Sequence, residues 1–358
     1  MPLAAAGTSC PQVGGAASRS TVERVSQLEI GRPGQALTML LDSWHGLASP
    51  TRGLPMAPLD LPTVVPTRNL PRRDAARLLE NGDLVALRPG VLAAPPDAGA
   101  SSAQRRSQLV LQHVRAHSHM ARTDLPFSHQ TAALLLGCWI LGAGLPVHVT
   151  APPPSTGHRP SPHLRVHHTP LEARDIRLHQ DVRVTCIERT VADCARTLPL
   201  VESVVLVDSA LRMGADREDV LRRIATVTGA RGVRAARRTM EIATAQVHSP
   251  GESFVRAVAV ADGLPLPRTL HLVDTEIGRV ELDIAWPEMR VAVEFDGAVK
   301  LARLRGEELT REVNRTSRRE AALARAGWVV LHLTWSDLRD RDALVVRLRR
   351  LVRHRATG

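Results

Sequence analysis

Residues 281–300, ELDIAWPEMRVAVEFDGAVK, decide the fold of the carboxy-terminal part of this 358-residue chain. Apolar residues alternate with polar or small ones before and after the segment PEMR at 287–290. A period of two is typical of strands that bury one face. The stretch therefore predicts a β-hairpin with strands at 280–286 and 291–297.

The register of this hairpin predicts an acidic face. A turn centred on 288 and 289 places Asp283 opposite Glu294 and Glu281 opposite Asp296, so alternation puts all four carboxylates on one face. The opposite face is expected to carry the core side chains Leu282, Ile284, Val293 and Phe295. Directly opposed like charges destabilise a sheet, so we expect compensation. A divalent cation held by carboxylate oxygens would provide it and could polarise a phosphate; a solvent-facing acidic strip is the alternative.

The sequence around the hairpin predicts an α/β sheet. A helix is expected from Ser249-Pro250 onwards, then a strand at 269–275 before the hairpin. After the hairpin come an arginine-rich helix and an apolar strand at 327–335, as a crossover connection requires. The arginines Arg311, Arg315, Arg318 and Arg319 are interpreted either as contacts to a phosphate backbone or as a solvated helix face.

Lys300 is the only lysine in a chain with 47 basic residues. It follows Asp296 by four residues, where a compact ammonium would stabilise charge that develops on a phosphate. Its position is equally compatible with chance.

The runs at 281–300 and 318–338 resemble a restriction-endonuclease-like domain of the PD-(D/E)XK superfamily, in a family of unknown function related to very-short-patch-repair endonucleases. The resemblance implies that Asp283, Glu294 and Asp296 hold Mg²⁺ or Mn²⁺, with Asp296 at the position of the usual motif lysine. Lys300 would then supply the catalytic cation. Glu252, on the leading helix, would match an acidic residue near the metal.

Residues 61–97 predict a helix followed by a hairpin. Arg72 to Glu80 has helical apolar spacing, Asn81-Gly82 is a helix stop, and 83–93 alternates across Arg88-Pro89-Gly90. This order occurs at the end of a winged helix, and the segment resembles the DNA-binding domain of AbiEi-type antitoxins from type IV toxin–antitoxin systems. We expect Arg72, Arg73 and Arg88 to contact DNA.

Residues 98–247 predict an α+β middle domain. Helices are expected at 103–119, from Ser128, at 188–197 and at 201–214, with strands at 163–169 and 181–186. The phrases around Ser128-His129 and Glu188-Arg189-Thr190 resemble the middle region of the same antitoxins. His163, His167 and His168 are interpreted as a polar strand face rather than metal ligands.

The composition bounds the class of protein. A 44% apolar content excludes a fully disordered chain, although residues 1–60 read as a disordered or poorly packed leader. The net charge of +11 makes a polyanionic partner plausible. Four scattered cysteines argue against a disulfide scaffold. No secretory signal or membrane span is expected, and a cytoplasmic location follows from this interpretation.

The expected fold class is α/β and α+β multidomain, comprising the leader (1–60), a winged-helix-like segment (61–97), the middle domain (98–247) and an α/β/α nuclease-like domain (248–358). The first functional hypothesis is a metal-dependent endonuclease that binds DNA. The second is an antitoxin-like transcriptional regulator with a catalytically inactive nuclease-like domain and a nucleotidyltransferase-type toxin as partner. A protein-interaction platform without a nucleic-acid role is a third.

Overall fold

The computed structural model describes residues 59–120, 124–142, 144–153, 162–226, 231–295 and 305–356. Nearly all of the expected leader, together with Asp296 and Lys300, lies outside the described residues. The described part mixes α-helices with several small β-sheets, as the fold class predicts. None of its helices is both long and apolar enough to cross a bilayer.

The amino-terminal unit comprises a three-stranded antiparallel sheet and one helix, α1. The expected helix is confirmed with its ends at Arg72 and Glu80, and Gly82 beyond it has a φ of 77°. The expected hairpin is also present, and a further strand completes the sheet in the order β1-β3-β2. The strands are β1 (Val64–Pro66), β2 (Val85–Arg88) and β3 (Val91–Ala93).

A mixed sheet forms the centre of the middle unit. Its strands are β4 (Val147–Ala151), β5 (Leu164–His168), β6 (Ile176–His179) and β7 (Val182–Thr185). The pairs β4–β5 and β6–β7 are joined by Phe127, which bridges Val149 on one side and Val184 on the other. The sequence did not reveal this link, because a single bridging residue carries no periodicity.

Six helices of the described chain surround this sheet or follow it. They are α2 (Ser102–Met120), α3 (His129–Leu135), α4 (Ile187–Thr197), α5 (Leu200–Arg212), α6 (Arg217–Thr226) and α7 (Val233–Ile242). The four helices expected from the sequence in this region are confirmed. The cysteines Cys138, Cys186 and Cys194 are buried and free.

The carboxy-terminal unit has the predicted crossover topology. Its sheet has the order β11-β10-β9-β8, with β8, β9 and β10 antiparallel and β11 parallel to β10. The strands are β8 (Arg268–Thr275), β9 (Gly278–Trp286), β10 (Val291–Phe295) and β11 (Val329–Leu333). Helix α9 connects β10 to β11. The helices are α8 (Pro250–Ala261), α9 (Gly306–Arg325) and α10 (Arg341–Ala356).

One apolar core runs across the expected boundary between residues 247 and 248. It joins Trp139 and Val205 of the middle unit to Phe254 of α8 and Trp286 of the sheet. Inside it, the Nη1 of Arg256 donates to the Oδ2 of Asp208 at 2.8 Å, and neither side chain is more than 3% exposed. Burial raises the pKa of Asp208 to about 6, although Arg256 opposes the shift. Removing one partner of such a buried pair leaves the other charge buried without compensation.

Gly232 and Gly214 provide a test of how closely α4 and α7 pack. Both glycines have positive φ, 86° and 94°, so alanine is strained at either position. A Cβ at Gly232 would meet the carbonyl oxygen of Arg196 at 2.0 Å, whereas nothing lies within 4 Å at Gly214. We expect Gly214→Ala to lower the free energy of unfolding by about 1 kcal/mol and Gly232→Ala by roughly 2–4 kcal/mol, because backbone must also move. Equal losses in urea denaturation would contradict the packing.

His113 on α2 makes stability dependent on pH. It is 2% exposed, its ring stacks on His163 at 4.7 Å between centroids, and burial, then the neighbouring His163 and Arg88, lower its pKa from 6.5 to about 3. Between these values the unfolded chain binds the extra proton, so stability falls as the pH drops from 6.5 towards 3. The decrease is at most about 1.4 kcal/mol per pH unit.

We measure the free energy of unfolding by urea denaturation at about pH 7 and at about pH 5, and call the change between them the slope. We expect the slope to be smaller for His113→Gln than for the wild type. Ser118→Ala, at an exposed position near the end of α2, removes no titratable group; it is the control and should keep the wild-type slope. An unchanged slope in His113→Gln would show that this imidazole is protonated in the folded chain.

Candidate functional site

The hairpin has the register that the sequence predicts. Cα partners are Val291 with Trp286, Ala292 with Ala285, and Val293 with Ile284. Continuing this register by one residue places Asp283 opposite Glu294, at the end of the ladder. The two candidate metal ligands therefore come from the two neighbouring central strands of the sheet.

Strand β9 changes face at Asp283, and this corrects the expectation of one acidic face. Leu282 packs with Leu323 of α9, but Ile284 packs in the core on the α8 side. Leu270, between the β8 residues that pair with Leu282 and Ile284, has a φ of 50° and interrupts the regular β8–β9 ladder. A local irregularity of this kind redirects a side chain.

Two consequences follow for the predicted faces. Leu282 and Ile284 do not share a core face. Glu281 lies between Val280 and Leu282, which both pack on the α9 side, so its side chain faces away from α9. Glu294 alternates with Val293, which packs on the α8 side, so it points towards α9. Glu281 and Glu294 therefore lie on opposite faces.

Asp283 is half-buried, and its side chain accepts a backbone hydrogen bond that a carbonyl of a neighbouring strand would otherwise accept. Its Oδ2 accepts a hydrogen bond from the backbone N–H of Phe295 at 3.2 Å, beyond the last regular pair of the β9–β10 ladder. A carboxylate therefore closes the end of the ladder. The bond holds the Asp283 side chain beside the backbone that carries Glu294.

Glu294 is 7% exposed and forms an ion pair with Arg319 of α9. Its Oε2 accepts from the Nη1 of Arg319 at 2.5 Å, and the Nη2 of Arg319 donates to the carbonyl of Glu281 at 2.6 Å. The Oε1 of Glu294 is buried with no hydrogen-bond partner among the described residues. Arg319 was expected to lie with the other arginines on an outer helix face; it instead reaches into the sheet.

His332 and Glu320 belong to the same cluster and escaped the sequence analysis. His332 is the Cα partner of Glu294 on the parallel strand β11, and its Nε2 lies 3.2 Å from the Oε1 of Glu320 on α9. The run VVLHL reads as a buried strand, so only the register with β10 reveals that its histidine adjoins a carboxylate.

Glu252 has a structural task at the start of α8. Its carboxylate accepts from the backbone N–H of His248 and from the hydroxyl of Ser249, both at 2.8 Å. Ser249 in turn accepts from the N–H of Glu252, which completes a reciprocal cap. Gly251 lets this helix end approach the sheet, since a Cβ there would lie 2.4 Å from the ring of Phe295.

The donor set at Asp283 and Glu294 fits a hard divalent cation in chemistry. Carboxylate oxygens are the ligands that Mg²⁺ and Mn²⁺ prefer, and the buried Oε1 of Glu294 has hydrogen-bonding capacity left. A cation there would compete with Arg319 for Glu294. Asp296 and Lys300, also expected at this site, lie outside the described residues.

The arginines expected to bind nucleic acid fall on two surfaces. Arg72 and Arg73 are exposed in the first turn of α1, whereas Arg88 on β2 is half-buried. On α9 the exposed members are Arg311, Arg315 and Arg318. Arg311 pairs with Glu307 at 3.7 Å and Arg315 with Glu312 at 3.0 Å.

A second cluster lies in the middle unit and contains three histidines. His129 opens α3, His148 lies on β4 and His167 lies on β5. One ring nitrogen from each lies within 4.8 Å of the others, the only such three-donor group among the described histidine, cysteine and acidic residues. His167 is thus half-buried against two other imidazoles, and the interpretation of His163, His167 and His168 as one polar face is wrong.

The three imidazoles are held neutral. Burial, reinforced by the neighbouring histidines, lowers the pKa of His129 to about 2. The pKa of His148 falls to about 3 and that of His167 to about 4, also mainly through burial. Sequence reasoning missed this cluster because its members are 19 residues apart in the chain and meet only through the β4–β5 pairing and the start of α3.

Arg189, in the segment Glu188-Arg189-Thr190, forms a partly buried structural network. The Nε of Arg189 donates to Asp193 at 2.8 Å, and its other nitrogens reach Asp175 and Thr169 at 3.2 and 2.8 Å. Arg223 also binds Asp175. Burial opposes ionisation of Asp175, but hydrogen bonds from the Glu172 backbone and from Arg223 hold its pKa below the ordinary value. These contacts join α4, α6 and the strand ends.

Comparison with known proteins gives a limited match. Two curated proteins of Mycobacterium tuberculosis, from strains CDC 1551 / Oshkosh and ATCC 25618 / H37Rv and both described as uncharacterized, are each 31% identical to this chain over 173 residues. The match covers 47% of this chain and 62%, less than two thirds, of the relatives' own length. No protein-family model matches the sequence.

Proposed function

We propose that this protein binds DNA and that its carboxy-terminal unit is a restriction-endonuclease-like domain that hydrolyses phosphodiester bonds with Mg²⁺ or Mn²⁺. The observation that carries the proposal is the strand register, which brings Asp283 opposite Glu294 on the two central strands, where one oxygen of Glu294 is buried without a hydrogen-bond partner among the described residues. The order α8-β8-β9-β10-α9-β11 is consistent with the resemblance to the PD-(D/E)XK superfamily.

Each residue would have a defined task in this chemistry. Asp283 and Glu294 would hold the cation, which when bound supplies polarisation of the scissile phosphate. Asp283 is oriented by the Phe295 amide, so its carboxylate is fixed before any ligand arrives. Arg319, released from Glu294 by the cation, would have its guanidinium available for a phosphate oxygen.

The DNA-binding part of the proposal rests on the placement of arginines. Arg72 and Arg73 occupy the first turn of α1, where the helix dipole disfavours cations. Helix stability therefore does not account for them, whereas a phosphate at the same end would be favoured. Helix α1 and the hairpin β2–β3 that follows it are compatible with the winged-helix-like, AbiEi-related segment that we propose here.

A second candidate function is favoured by the Glu294–Arg319 ion pair. A domain that holds no metal needs another positive charge to neutralise the carboxylate of Glu294, and Arg319 provides that charge. In that case the protein would be an AbiEi-type antitoxin-like regulator with an inactive nuclease-like domain. A nucleotidyltransferase-type toxin encoded next to it would support this candidate.

A cleavage assay separates the two candidates. The full chain is incubated with supercoiled plasmid and Mg²⁺ or Mn²⁺, and we expect Asp283→Asn or Glu294→Gln to slow cleavage at least about 100-fold, because several kcal/mol of charge stabilisation are lost. Glu288→Gln, an exposed residue in the turn of the same hairpin, is the matched control. Circular dichroism checks that each variant is folded.

Failure of this prediction has a defined form. Plasmid that stays intact with the wild type at every metal concentration, although the protein binds it, would reject the hydrolase and favour the regulator. Cleavage that survives both substitutions would place the active site elsewhere.

The salt dependence of DNA binding tests the arginines of α9. Each phosphate contact contributes about 0.9 to the slope of log affinity against log salt concentration. We expect Arg315→Ala with Arg318→Ala to reduce this slope by up to about 2, in fluorescence anisotropy with a labelled duplex. Arg238→Ala, on the distant helix α7, is the control. If the double variant of Arg315 and Arg318 has the same slope as the wild type, α9 is excluded from the interface.

A further inference from the structure

We propose that His129, His148 and His167 form a binding site for one borderline transition-metal dication, with Zn²⁺ as the leading candidate. The site lies in the middle unit and is independent of the carboxylates of the proposed nuclease domain. It does not rest on the proposed function.

The donors suit this class of ion. Imidazole nitrogens bind Zn²⁺ and Co²⁺ well, whereas Mg²⁺ and Ca²⁺ prefer oxygen ligands. A metal ligand must be neutral imidazole, and burial keeps all three rings neutral at ordinary pH. The ion would therefore not have to displace protons from imidazolium groups.

Two of the donors already have a suitable separation. The Nδ1 of His148 lies 3.2 Å from the Nε2 of His167. Zinc–nitrogen distances of about 2.0–2.1 Å place two ligands of a tetrahedral ion roughly 3.3–3.4 Å apart. An ion between these nitrogens would replace their hydrogen bond without moving either strand.

His129 needs one rotation to join them. Its ring stacks on His167, with 3.6 Å between centroids and 15° between planes, and two parallel rings cannot both point their lone pairs at one ion. A turn about the Cβ–Cγ bond of His129 corrects this. The Nδ1 of His129 contacts the hydroxyl of Ser128 at 3.0 Å in the stacked position, and this contact is exchanged for the metal when the ring turns.

Backbone and polar-group anomalies coincide at this point. His129 has a φ of 52°, a strained conformation that tends to occur where function requires a fixed side chain. Thr150 is fully buried, and its hydroxyl has no hydrogen-bond partner among the described residues. Thr150 is the Cα partner of His167 and shares a strand face with His148. Its hydroxyl is therefore placed to bond a fourth ligand such as water.

The charges around the cluster favour an anionic fourth ligand. Arg165, Arg189 and Arg196 all act on the histidines electrostatically. Arg189 is balanced by Asp193 and Asp175. Three neutral donors leave the full charge of the dication, so an anion in the fourth position would offset it.

Cobalt titration of the full-length chain tests the site. Metal is first removed with a chelator, and Co²⁺ is then added with an excess of Mg²⁺ present to occupy carboxylate sites. We expect one Co²⁺ per chain with the intense visible absorption of a tetrahedral ion, and loss of that band when Zn²⁺ is added. His167→Gln should weaken binding by more than about 100-fold, since even outer-shell partners are worth 10–100-fold. His168→Gln, the neighbouring exposed histidine, is the control and should bind normally.

The outcomes are distinguishable from those of the nuclease proposal. Asp283→Asn and Glu294→Gln should keep the cobalt band even if they abolish cleavage. Absence of the band in the wild type, or its persistence in His129→Gln, His148→Gln and His167→Gln, would overturn the site. If these variants fail to fold, X-ray absorption at the zinc edge of the wild type decides: three imidazole ligands support the site, and their absence overturns it.

Discussion

The buried ion pair between Arg256 and Asp208 ties the middle helices to the carboxy-terminal sheet. Arg256 also donates to the carbonyl of Ile242, and Asp208 accepts from the backbone N–H of Thr244, so both charges are held by further hydrogen bonds. In a low-dielectric interior such a pair is stable only when both members stay in place. Helix α8 is therefore fixed in position, and its first turn, through Gly251, packs directly on Phe295 at the strand end that carries the candidate site.

The chemistry of that strand end depends on how one carboxylate is shared. Glu294 is bound by Arg319 from α9 on one oxygen and leaves the other buried without a partner among the described residues. A divalent cation would compete with the guanidinium of Arg319 for the same negative charge, so metal binding at the proposed site would be coupled to the position of Arg319. His332 and Glu320 extend the polar cluster along α9, with the Nε2 of His332 lying 3.2 Å from the Oε1 of Glu320.

The two candidate metal sites differ in the physical character of their donors. The central strands of the carboxy-terminal sheet offer carboxylate oxygens beside an arginine, whereas the middle unit offers three uncharged imidazoles inside a core. Hard and borderline cations would be sorted between them by ligand type rather than by position. The middle unit also has its own buried arginine network, which holds α4 and α6 against the strands and so fixes the backbone around the histidines.

The sequence by itself determined the local structure wherever periodicity was strong. It predicted helix α1 to the residue, the register of the β9–β10 hairpin and the crossover to β11, because each depends on side-chain spacing within a short segment. Only the tertiary structure decided which face of β9 each carboxylate occupies, since the interruption at Leu270 and Asp283 arises from pairing with β8. It also decided that Arg319 turns inward to Glu294 and that His129, His148 and His167 meet. These contacts join residues that are distant in the chain. A local sequence pattern does not show which distant residues meet after folding.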